Sequence, residues 1–295
     1  MLETVTETIK LLRGGNNGKF PYSHSLVIED ESRAIIDTGV SSKSLASIAI
    51  EGIDSVINTH CHFDHIAKNP LFKRARVYMH HLDARALKNP KLWEEQTGLD
   101  WDKVMGSFLK FWGLSESPFE GQDVVELQDG DSIDFGKTKA TTIHAPGHSA
   151  GHCCFYFPKE DVLFSGDIDL TSFGPWYGNP FSDIDQFVAS IHRLVEIAPG
   201  CVITSHAGLI RENIRERLLS YLSVIERRDD IILKLLKEPH TLEEIANKKP
   251  IFKKYPPADG FYRRIEREMV SKHLKRLQYQ QRITVAGDGL FVAKG

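Results

Sequence analysis

The sequence predicts an α/β fold, and three observations lead to this prediction. Short apolar runs rich in Val and Ile recur along the chain and are bounded by Gly and Pro, which is the pattern of buried strands. Longer amphipathic stretches lie between and after these runs, as expected for helices. The chain has 295 residues, 41% of them hydrophobic, so it can bury a full core and is long enough for two domains.

Strands are predicted across residues 22 to 79, with a strand-to-helix turn at the stretch His60-Cys-His-Phe-Asp-His65. This stretch follows the apolar run from Ile53 to Thr59 and combines imidazoles with a carboxylate, the side chains that bind zinc, iron and manganese. A tight turn allows the first two His to face one ion and the Asp-His pair to face a second. The alternative is a surface cluster of polar residues.

Four further strand-like runs end in, or just before, a residue of the same chemical types. Ligands and catalytic groups commonly lie where a strand gives way to a loop, on a rigid frame. We therefore expect these residues to lie near the histidine-rich turn. They are Asp37, His148, Asp167 and His206.

This ordered set of motifs resembles the metallo-β-lactamase superfamily, in the subset with His-x-His-x-Asp-His, over roughly residues 20 to 210. The resemblance implies a four-layer αββα sandwich with two divalent metal ions, zinc first and iron or manganese as alternatives. It also implies a role for each motif residue. His60, His62 and His148 would hold one ion, Asp64, His65 and His206 the other, Asp167 would bridge them, and Asp37 would orient ligands through hydrogen bonds.

Residues 81 to 120 are predicted to form a helical insertion between the motifs, with helices at Asp83 to Leu87 and Lys91 to Trp112. Its aromatic residues allow three interpretations: a helical pair packed on the sheet, an apolar wall or lid of the substrate site, or a dimer contact. Lys68, just after the histidine-rich turn, is interpreted as solvated; the alternative is that it tunes the charge preference for substrate.

The segment from Thr171 to Pro180 contains Gly and Pro and is predicted to be a structured loop. It follows Asp167, so we expect it to lie beside the metal ions. Its aromatic residues Phe173, Trp176 and Tyr177 are therefore the candidates for substrate contact.

Residues 1–222 are predicted to form the metal-binding domain and residues 223–295 a separate C-terminal domain. A helix from about Ile210 to Arg228 leads into an amphipathic helix, Asp229 to Leu236. A short helix opened by a capping box, a longer helix from Phe261 to Gln278 and a terminal hairpin follow. Three helices and a hairpin in this order resemble a winged helix.

The formal net charge of −3 hides an asymmetry, because the chain from Val224 onward has 16 Lys and Arg against 10 Asp and Glu. If the longer helix entered a groove of nucleic acid, its basic side chains would contact phosphates. The alternative is a solvated helix face that packs on the enzyme domain or shapes its pocket. The basic residues concerned are Arg263, Arg264, Arg267, Lys272, Lys275 and Arg276.

The four Cys do not form a disulfide framework, and two of them are adjacent in one strand-like run. The N-terminus lacks a basic region followed by an apolar one, and no apolar run reaches the length of a membrane span. We therefore expect a cytoplasmic protein with no membrane association, which disfavours a secreted antibiotic-degrading lactamase.

A bound metal lowers the pKa of water to about 7, so a hydroxide bridging two ions could attack a carbonyl or phosphorus, with Asp64 taking or giving a proton. We expect a hydrolase of a small-molecule ester, thioester or lactone. The alternative is an endoribonuclease acting on single-stranded RNA, because lactamase-like endoribonucleases have a similar layout with a compact tail. A non-catalytic binding protein is disfavoured, since no expected ligand is missing. The aromatic insertion makes a homodimer a further expectation.

Overall fold

A computed structural model describes residues 2–118, 123–255 and 260–294. Seven strands form a first sheet in the order of the chain. They are β1 (Leu2–Thr4), β2 (Ile9–Leu12), β3 (Ser25–Ile28), β4 (Ala34–Ile36), β5 (Ser55–Ile57), β6 (Arg76–His80) and β7 (Val124–Leu127). Neighbouring strands from β1 to β4 are antiparallel, and those from β4 to β7 are parallel.

A second sheet contains six strands. They are β8 (Ser132–Asp134), β9 (Lys139–His144), β10 (Cys153–Phe157), β11 (Val162–Phe164), β12 (Cys201–Thr204) and β13 (Gly208–Ile210). The order across this sheet runs from β13 to β8, and only the pair β11 and β12 is parallel. Both central strands of that pair are buried along their whole length, which explains their continuous apolar sequence.

The two sheets pack face to face through a shared apolar layer that includes Ile9, Leu26 and Ile57 from one sheet and Phe155 and Phe164 from the other. Each sheet buries its outer face under helices, in two further apolar cores. The layers therefore run helix, sheet, sheet, helix, and the prediction of a four-layer αββα sandwich is confirmed.

Five helices lie on the side of the first sheet: α1 (Ser42–Leu45), α2 (Phe63–Ile66), α3 (His81–Leu87), α4 (Pro90–Thr97) and α5 (Trp101–Trp112). The expected helical insertion is α3 to α5. Asn89 and Asp100 cap α4 and α5 through their side chains, and Gly98 and Gly113 end these helices in the left-handed conformation. Trp93 is buried with the core of the first sheet, so packing on the sheet is one role of the insertion.

Lys68 is not solvated, and the interpretation of this residue was wrong. Its side chain is 2% exposed, its Nζ donates to Ser42 Oγ at 2.9 Å, and it lies 5.3 Å from the centre of the Trp112 ring. The end of α5 covers this position, and burial lowers the pKa of the amine from its usual range.

The other face carries four helices and a hairpin: α6 (Ile184–Ile197), α7 (Ile214–Leu235), α8 (Leu242–Asn247), α9 (Gly260–Tyr279), β14 (Ile283–Ala286) and β15 (Leu290–Ala293). The two helices expected on either side of Arg228 are one continuous helix, α7, because no Gly or Pro interrupts the segment. This helix also runs through the predicted domain boundary at residue 222, and both sides of it join one apolar core. The division into two domains and the likeness to a winged helix stay predictions.

Basic side chains of α9 mostly have partners within the chain. Arg264 Nη1 donates to the carbonyl of Thr97 in α4 at 3.1 Å, and Lys272 Nζ donates to another backbone carbonyl at 3.0 Å. Arg267 and Arg276 pair with carboxylates on other helices. These contacts fit the interpretation in which α9 packs on the enzyme domain. Within the described part of the chain, no helix has the length and apolar character to cross a membrane.

Candidate metal centre

The histidine-rich turn follows the end of β5 and runs into α2, which carries Asp64 and His65. Asp83, in the first turn of α3, holds this turn from the outside. Its buried carboxylate accepts from the Cys61 N–H at 3.1 Å, from Ser149 Oγ at 2.7 Å and from the Gly151 N–H at 2.7 Å. Asp83 thereby ties the turn to the segment that carries His148. The sequence offered no signal for this, since an acidic residue in the first turn of a helix is common.

His60, His62 and His148 form a first group of donors. His148 Nε2 lies 2.8 Å from His62 Nδ1 and 3.2 Å from His60 Nε2. Burial lowers the pKa of all three imidazoles, and neighbouring imidazoles lower it further, while the Asp167 carboxylate raises it. The net pKa is lowered, so the rings are neutral and offer lone pairs. Their ligand atoms lie within 4.8 Å of one another, an arrangement that could hold a metal ion.

Asp64, His65 and His206 form a second group with the same compactness. Asp64 Oδ2 lies 3.6 Å from His65 Nε2 and 3.5 Å from His206 Nε2. Burial lowers the pKa of His206, but the carboxylates of Asp167 and Asp64 outweigh burial and raise this pKa to about 10. Carboxylates that favour a proton on an imidazole would also favour a metal cation at the same place.

Asp167 lies between the two groups, with one oxygen on each side. Its Oδ2 is 3.2 Å from His148 Nε2 and 4.0 Å from His60 Nε2, while its Oδ1 is 3.1 Å from His65 Nε2 and 3.3 Å from His206 Nε2. Asp167 Oδ1 and His65 Nε2 are buried and make no hydrogen bond, despite their proximity. Buried polar atoms need a partner, and a cation between them would supply it. Five imidazoles and two carboxylates are a donor set that suits zinc or a similar divalent ion.

Asp37 lies at the end of β4 and contacts the second group from behind. Its Oδ2 is 2.7 Å from His65 Nδ1, and its two oxygens accept from the N–H and the hydroxyl of Thr59, each at 2.8 Å. This contact places the proton on Nδ1 and leaves Nε2 free to face Asp64 and Asp167. The orienting role expected for Asp37 fits these bonds.

We expect Asp37→Asn to weaken metal binding about 10- to 100-fold, because the amide cannot replace the charged acceptor beside His65. Asn suits the position, since Asp37 has a φ of 60° and Asn tolerates that conformation. Metal affinity, measured by competition with a chelator, checks the prediction. Asp54→Asn, a change of an exposed carboxylate next to β5, should leave the affinity unchanged; equal affinities in both variants would contradict the role of Asp37.

Carbonyl oxygens hold two more of the donor imidazoles. His148 Nδ1 is 3.1 Å from the Trp176 carbonyl, and His206 Nδ1 is 2.6 Å from the Gly18 carbonyl. His152, which lacks a place in either group, has Nδ1 3.1 Å from the Ala145 carbonyl and accepts from the backbone N–H of Asp167 at 3.0 Å. It therefore positions Asp167 through the backbone.

Asn179 was missed by sequence reasoning. Its side-chain Nδ2 lies 2.7 Å from His62 Nε2. The two ends of an amide are assigned from the surrounding hydrogen bonds, and turning this amide over would let its Oδ1 accept from a protonated Nε2 and leave His62 Nδ1 free beside His148. Its only sequence signal was its place in the aromatic loop.

A cavity of about 780 Å³ opens above both groups. Phe173 and Trp176 line it, as do five of the seven donor residues.

Tyr177 does not line the cavity, so the structure corrects its assignment as a substrate contact. Its ring is fully buried beneath the loop, and its hydroxyl bonds to His273 Nε2 at 2.6 Å and accepts from Arg228 Nη1 at 2.9 Å. In an irregular loop no periodicity tells which of two adjacent aromatic residues faces inward.

Comparisons with known proteins agree with this geometry. The model of the metallo-β-lactamase superfamily matches residues 18–206. The acyl-coenzyme A thioesterase MBLAC2 of Homo sapiens is 31% identical over 189 residues, which cover 58% of this chain and 66% of that protein, slightly less than two thirds. A hydroxyacylglutathione hydrolase of Synechococcus is 27% identical over 171 residues, covering 56% of this chain and 54% of that protein.

The fold extends beyond the region of sequence similarity. The crystal structure of a metallo-β-lactamase family protein from Thermus thermophilus superimposes with a TM-score of 0.75 at 20% identity, covering 99% of this chain and 100% of that one. The family match over more than half of the chain confirms the resemblance drawn from the motifs, and it supports the prediction of a hydrolase. The chain belongs to the metallo-β-lactamase superfamily.

Proposed function

We propose that the protein is a metal-dependent hydrolase that acts on a small-molecule thioester, ester or lactone. Seven donor side chains, arranged in two adjacent groups at the floor of a large cavity, carry this proposal. Each group brings three ligand atoms within 4.8 Å of one another, and the cavity gives a substrate access to both groups.

Two divalent ions fit the donor set, with zinc first and iron or manganese as alternatives. When bound, such ions act as Lewis acids toward a carbonyl oxygen and toward water. In this proposal the three-histidine group would hold one ion, the group of Asp64, His65 and His206 would hold the other, and Asp167 would serve both.

The side chains of the protein would orient the donors, transfer a proton and position the substrate. Imidazoles held by carbonyls and by Asp37 keep their lone pairs aimed inward, so the donors need no rearrangement. Asp64 lines the cavity, so its carboxylate can take a proton from the nucleophile or give one to the leaving group. Phe173 and Trp176, on the loop beside the donors, would position the substrate and exclude water.

Thioesters are the first class to test, because the human relative is named a thioesterase and the cyanobacterial one a hydroxyacylglutathione hydrolase. Single-stranded RNA, the alternative substrate, has no support from these relatives. The basic side chains of α9 also give little support to binding of RNA, because most of them already have partners within the chain.

We expect the purified protein to contain divalent metal and to hydrolyse thioesters, esters or lactones. Removal of metal by a chelator should abolish turnover, and added zinc, iron or manganese should restore it. The assay compares these substrates with phosphodiesters and single-stranded RNA at equal concentration. His206→Ala is the matched variant, because it removes one donor of the second group and leaves the aromatic residues Phe173 and Trp176 of the lining in place.

The result that supports the proposal is metal-dependent release of thiol or alcohol that falls in His206→Ala. Metal-dependent cleavage of single-stranded RNA without hydrolysis of any thioester, ester or lactone would overturn it. Turnover that survives complete metal removal would overturn it as well.

A further inference from the structure

Two separate segments of the chain supply the walls of the cavity. The insertion contributes Val104, Phe108 and Phe111 from α5, and the C-terminal region contributes Tyr262 and Ile265 from α9. The wall between the donor groups and the opening is thus apolar and mainly aromatic, as in sites that bind apolar ligands.

The carboxylates are concentrated at the donor end of the cavity. Those among its described lining residues are Asp64 and Asp167, both of them donors, and Asp169, two residues after Asp167. Lys103 is the one Lys or Arg side chain among the described residues of the lining. A ligand that extends from the donor groups between the two walls therefore meets mainly apolar surface, which favours an apolar ligand over a charged one.

Contacts among the lining residues and between the two walls hold the walls in place. Phe63 stacks on Phe108 with ring centres 4.0 Å apart and contacts Trp93 at 4.8 Å. The bond from Arg264 to the Thr97 carbonyl joins α9 to the insertion directly. A wall held in this way is formed before the ligand arrives, so less free energy is lost in ordering it.

Large aromatic side chains also remain exposed at the opening. Phe20, Phe111 and Phe261 line the cavity and are 66%, 53% and 42% exposed. Exposed apolar groups that surround an apolar cleft are typical of ligand-binding grooves.

We propose that this cavity is a binding site for a long apolar acyl chain, which runs from the donor groups outward between α5 and α9. The substrates would then be thioesters or esters of long-chain acids, selected by chain length, and the C-terminal region would form one wall of the substrate site. This inference rests on the proposed hydrolase function for the position of the carbonyl carbon.

Binding of a homologous series of straight-chain methyl ketones to the metal-loaded protein tests the inference without hydrolysis. Each added methylene should tighten binding about fourfold, because a buried methylene contributes about 0.8 kcal/mol and 1.4 kcal/mol corresponds to a factor of ten. Calorimetry measures the dissociation constants. Chain-length dependence of kcat/KM for a series of acyl thioesters should follow the same trend.

Val104→Phe narrows the passage from a half-buried position on α5. It should lower affinity for long ketones by about 60-fold, the loss of contact for about three methylenes at fourfold each, and leave short ones nearly unchanged. Tyr279→Ala is the control, because Tyr279 is an exposed aromatic residue of α9 outside the described lining. Its affinities should match those of the unaltered protein.

Affinities that do not change with chain length, in a protein that still hydrolyses short thioesters, would overturn the acyl-chain site and leave the proposed function standing. Chain-length-dependent binding without turnover of any thioester, ester or lactone would overturn the proposed function and leave the apolar site standing. An equal loss in Val104→Phe for short and long ketones would also overturn the chain site.

Discussion

Asp167→Asn is expected to lose both metal ions and to lower kcat/KM by about 10³-fold or more. The Asp167 carboxylate lies within 4.0 Å of four imidazoles, two in each donor group. The negative charge of this carboxylate would offset the repulsion between two cations. Asn lacks that charge, so the repulsion would be larger and both ions would bind more weakly. Loss of metal removes several kcal/mol of transition-state stabilisation, and each 1.36 kcal/mol is a factor of ten in rate.

Metal content by mass spectrometry and kcat/KM are measured together. His206→Ala serves as the comparison, because it removes a donor from the second group alone and should lose mainly one ion. Two ions per chain with full turnover in Asp167→Asn would contradict the bridging role of Asp167, and a single ion per chain in the unaltered, active protein would contradict the dinuclear site.

Arg228→Met is expected to destabilise the protein by roughly 3–5 kcal/mol, because each buried acceptor left without its donor costs about 1–3 kcal/mol. Arg228 is 4% exposed, and its guanidinium donates to the carbonyls of Phe173 and Pro175, each at 2.6 Å, and to the Tyr177 hydroxyl at 2.9 Å. It also lies 4.7 Å from the centre of the Phe173 ring. Its removal leaves three buried acceptors without this donor, although His273 remains beside the Tyr177 hydroxyl.

The same change should weaken the first metal site, because the loop that Arg228 holds also carries the Trp176 carbonyl beside His148 Nδ1. Urea denaturation gives the change in stability, and chelator competition gives the metal affinity. Arg227→Met is the matched control: Arg227 is exposed and donates to Ser223, so its replacement should change stability by less than about 0.5 kcal/mol. Equal stabilities for the two variants would show that Arg228 does not hold the loop.

The residues that the sequence proposed as metal ligands are ones that the structure brings together. His60, His65, His148 and Asp167 each follow an apolar run that proved to be a strand, or lie in the turn after one, and strand ends meet at the same edge of the packed sheets. The bonds between Asp37 and His65 follow from the same arrangement, because β4 and β5 are neighbours. These features depend on local chain geometry and on residue type, both of which are present in the sequence.

Tertiary structure alone decided which side chains face the cavity and which lie beneath it. Trp176 and Tyr177 are adjacent and chemically alike, yet one lines the cavity and the other is bonded to Arg228 and His273. Lys68 became buried because the end of α5 lies over it. Contacts of this kind join segments far apart in the chain, so no local pattern encodes them. The sequence by itself therefore determined the chemistry of the donor groups, while the packing of the insertion and the C-terminal helices around them decided the shape of the site.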